Sequence, residues 1–87
     1  MAYSYSPENY NSINIQDLIE LNKLLKIHSN IVLTHPNVIL ITRGYIANKG
    51  YPTNDVCVLI RFNTNDITIP KTWKSLFYPY EIIVIDN

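Results

Sequence analysis

The sequence predicts an α+β domain in which one amphipathic helix packs on a three-stranded, largely antiparallel sheet. Three observations predict it. Apolar residues recur at helical spacing between Ile15 and His28, three later runs are rich in β-branched residues, and no low-complexity linker separates these segments. With 87 residues there is room for one core, so residues 1–87 read as a single domain. Apolar residues make up 47% and charged residues 16%, the opposite of the composition that keeps a chain disordered, so the chain is expected to fold.

Residues 1–12 hold tyrosines, serines and a proline without periodicity and read as an extended arm. At Asn14 the pattern changes. An asparagine three residues ahead of Asp17 can cap a helix: its side-chain oxygen accepts an orphan amide proton, and the aspartate suits the positive helix end. The helix region is 15–34. Leu18, Leu21, Leu25 and His28 form its apolar stripe, and Ser29 and Asn30 weaken its last turns before Pro36 forbids continuation.

Residues 38–46 and 55–62 read as strands, and residues 80–86 as a third. The connection between the first two contains Gly50 and Pro52 and is long for a hairpin, which suggests a projecting loop. Pro70 opens a short helical turn around Trp73, and Pro79 closes it.

Strands with one wet face alternate apolar and polar residues. Here Val56, Val58 and Ile60 point one way and Cys57 and Leu59 the other, yet both sets are apolar. The same holds for Val38 and Leu40 against Ile39 and Ile41, and for Ile82 and Val84 against Ile83 and Ile85. One helix covers only one face. The second needs the arm of residues 3–10, the segment carrying Trp73, Phe77 and Tyr78, or another protein, including a second copy of the chain.

Several chemistries are disfavoured. Seven Lys plus Arg balance seven Asp plus Glu, so no overall field attracts nucleic acid. The single Cys57 cannot form an internal disulfide, and its mid-strand position reads as core rather than nucleophile. His28 and His35 lack nearby ligand partners, so no metal is expected. Gly44 and Gly50 are isolated and build no phosphate-binding loop, and no serine has a nucleophile-elbow context. No cofactor is expected, and no catalytic residue is assigned. Glu20, Asp55, Asp66 and Glu81 show no pairing in sequence, although folding can bring acids together. The N-terminus lacks a basic start and an apolar core, and no apolar run approaches the ~20 residues of a membrane helix, so a cytoplasmic location is the expectation.

The binding candidates are Arg43, Tyr45, Tyr51, Arg61, Trp73, Phe77 and Tyr78, residue types that interfaces favour. The series His35, Pro36, Asn37 and Val38, then Gly44 and Tyr45, then Gly50 and Thr53, then Ile69 and Pro70, and finally Val84 and Ile85 resembles a small α/β lead-in domain. Such domains stand N-terminal to trypsin-like serine proteases in some bacterial and fungal proteins. The resemblance spans residues 31–86, holds no protease residue and carries over no catalytic position. The expected function is a non-catalytic protein-binding or self-assembly module, a homo-oligomer being one form. The alternatives are a small viral or mobile-element inhibitor of a host protein, and a small enzyme with an unrecognised site.

Overall fold

A computed structural model describes residues 2–7 and 14–85. In chain order the elements are β1 (Ala2–Ser4), α1 (Ile15–Leu33), β2 (Val38–Asn48), β3 (Tyr51–Phe62), α2 (Lys71–Leu76) and β4 (Ile82–Ile85). The fold is α+β, with one main helix and a curled sheet. The sheet has four strands in the order β1-β2-β3-β4, not three. Part of the extended arm supplies the additional strand, which pairs antiparallel with β2 from Ala2↔Ala47 to Ser4↔Tyr45. Residues 1 and 8–12 of the arm lie outside the described residues.

The helix begins where its cap predicts. The Asn14 side-chain oxygen accepts from the Asp17 amide at 3.2 Å, and α1 runs to Leu33, within the expected region. Leu21 and Val32 are fully buried beneath it, with Leu18, Leu24 and Leu25 packed around them. The Thr34 amide then donates to the Asn30 carbonyl, and His35 Nδ1 accepts from the Asn37 amide at 3.2 Å, turning the chain into β2.

The β2–β3 connection corrects the expected loop. It is a two-residue turn, Lys49-Gly50, with both residues at positive φ (54° and 82°). This backbone twist matches that of a hairpin, so the strands extend to Asn48 and Tyr51 and pair directly there. Pro52 is tolerated within β3 because it opposes Ala47 in a pair whose backbone groups point away from each other.

The last strand also differs from expectation: β4 pairs parallel with β3, from Val58↔Ile82 to Arg61↔Ile85. Parallel neighbours need a crossover, and the segment through α2 provides it.

Two packed clusters lie on the two faces of β3. Val56, Val58, Ile60 and Phe62 meet α1 and α2, whose Trp73 and Phe77 join the same core. His35 packs edge-on against both Phe62 and Trp73, with ring centroids 5.9 and 5.6 Å away. On the opposite face Cys57, Leu59, Ile83 and Ile85 are buried together, with Tyr3, Leu40 and Ile46 packed against them. The second face is therefore buried within one chain. Tyr3 of the arm contributes to it, whereas Trp73 and Phe77 cover the helix face.

The β2–β3 pairing is interrupted twice, between Tyr45 and Ala47, where β3 carries the additional residues, and between Val38 and Leu40. A register shift between Val38 and Leu40 sends these two residues to opposite clusters and leaves Ile39 standing outward, 53% exposed. The extra residue of such a bulge resets the pleat, so simple alternation fails across it.

Candidate functional site

The candidate contact residues separate by burial. Tyr45, Trp73 and Phe77 are core residues, at most 6% exposed, and offer no contact area, because the helix-face core takes their rings. Tyr51 and Tyr78 stand in solvent at 65% and 79% exposure. Arg43 is exposed and its guanidinium donates to Asn22 of α1 at 3.0 Å, linking β2 to the helix flank. Arg61 is half-buried, and its Nε has no hydrogen-bond partner among the described residues. Tyr51 and Arg61 are near opposite ends of β3, roughly 30 Å apart by strand rise. The seven residues do not form one site.

The folding of acids together, by contrast, does occur. A pocket of about 260 Å³ is lined by Asp17, Asp55 and Glu81 with Ile46, Val56, Pro79 and Tyr80. It opens where β4 stops short along β3 and the first turn of α1 comes near. The Tyr80 hydroxyl donates to Asp17 at 3.4 Å. Burial, and then the carboxylates of Asp17 and Glu20, push the Tyr80 phenol up to about 12, so it is a donor and not a base at neutral pH. Beside Tyr78, which follows α2 and precedes a cis Pro79, two further pockets of about 380 and 340 Å³ share Lys74 and Tyr78.

Cys57 is not poised for chemistry. Burial, and then the nearby Glu81 charge, push its thiol from 9.0 up to about 12, against a smaller lowering effect of the Gly44 backbone. Among the described residues, no three His, Cys, Asp or Glu side chains are placed to hold a metal ion. No helix among them is long and apolar enough to cross a membrane.

The feature sequence reasoning missed is an open strand edge. β2 is 11 residues long, but β1 covers only Tyr45–Ala47 on its outer side. Pro52 has no N–H, so its partner Ala47 must direct its own N–H and C=O away from β3, toward β1. Backbone direction alternates along a strand, which turns Tyr45, Arg43 and Ile41 outward as well. The β3 side agrees: Val58, opposite Arg43, turns its amide away from β2 to the Glu81 carbonyl at 2.8 Å. Tyr45 faces Ser4; Arg43 and Ile41 face no strand among the described residues. Large aliphatic side chains stand exposed nearby and on the helix: Ile39 beside this edge, and Ile15, Ile19, Ile27, Ile31 and Leu33 on α1. No local residue pattern could have revealed the edge, because it depends on how short the neighbouring strand is.

No known protein family matches the chain, and neither a curated protein nor a solved structure matches it.

Proposed function

We propose that this chain is a non-catalytic protein-binding module whose contact surface is the outer edge of β2. The observation that carries this reading is the stretch Leu40–Gly44, which no strand among the described residues pairs on its outer side, beside the exposed Ile39 and the Arg43–Asn22 link to α1. An open edge is a template for an added strand. Main-chain hydrogen bonds supply attraction, and neighbouring apolar side chains supply fit. The buried, high-pKa thiol of Cys57 and the protonated phenol of Tyr80 also favour binding over catalysis. On this reading, the resemblance to protease lead-in domains would make an adjoining protease domain one possible partner.

The test compares Ile39→Lys, beside the edge, with Ile67→Lys, a control at another partly exposed isoleucine. Association is measured by light scattering of the chain alone and with any stoichiometric co-purifying protein. Loss of association in Ile39→Lys with retention in the control is expected. Association indifferent to both substitutions, or a chain that associates with nothing, overturns the reading.

A further inference from the structure

We draw no further inference here: the strongest candidate, the row of exposed isoleucines Ile15, Ile19, Ile27 and Ile31 along α1, is interrupted at its centre by the exposed Lys23, and nothing in the structure shows what covers it.

Discussion

The side chain of Leu59 occupies the space that a Cβ on Gly44 would fill: its Cγ lies 2.7 Å from that position, and the Ser4 carbonyl oxygen lies 3.0 Å from it on another side. Glycine at 44 thus lets β1 and the second-face core close together over β2. Gly44→Ala should destabilise the fold by about 1–3 kcal/mol, the range of core overpacking. Chemical denaturation checks the size. A double-mutant cycle with Leu59→Val should recover part of the loss, and an additive cycle would disprove the contact.

The hairpin turn invites the opposite effect. Lys49 holds a positive φ of 54°, which costs an ordinary L-residue roughly 1 kcal/mol. Asparagine tolerates that conformation, so Lys49→Asn should stabilise the chain by about 0.5–1 kcal/mol without changing the denaturant slope. A neutral or destabilising result would show that the lysine makes a compensating interaction.

Alkaline stability should begin to fall near pH 9. The unfolded chain releases the Cys57 proton around 9.0 and the Tyr80 proton around 10.0, while the folded chain holds both up to about 12. Between these limits the folded state binds more protons, so stability is fully present below the lower value and is lost as pH rises toward 12. Tyr80→Phe should flatten the part of this decline above pH 10. Denaturation midpoints across the alkaline range, with tyrosinate absorbance of the folded chain, provide the check. An unchanged slope in Tyr80→Phe would contradict the assignment.

Much of the fold was legible where the governing physics is local. Asn14 and Asp17 announce the start of α1, and the two apolar sets of β3 announce burial on both faces. What stayed hidden is non-local or turns on one residue's unusual geometry. A lysine is a poor signal for positive φ, so the Lys49-Gly50 turn read as a loop. Nothing in the run Ile82–Ile85 states whether its neighbour is parallel, because the crossover decides that. Ile39 breaks the alternation of β2 invisibly, since every residue around it is apolar. The site was less legible than the fold. Tryptophan and tyrosine serve cores and interfaces alike, and Trp73, Phe77 and Tyr45 went to the core.

Pro52 has an additional effect at the hairpin's far border. β4 covers β3 only from Val58 to Arg61, so the hairpin tip projects past it with its rim uncovered by any strand among the described residues. There, Pro52 faces outward with no proton to give, and an incoming strand would lose a rung. Fibrillar stacking is therefore discouraged along this rim.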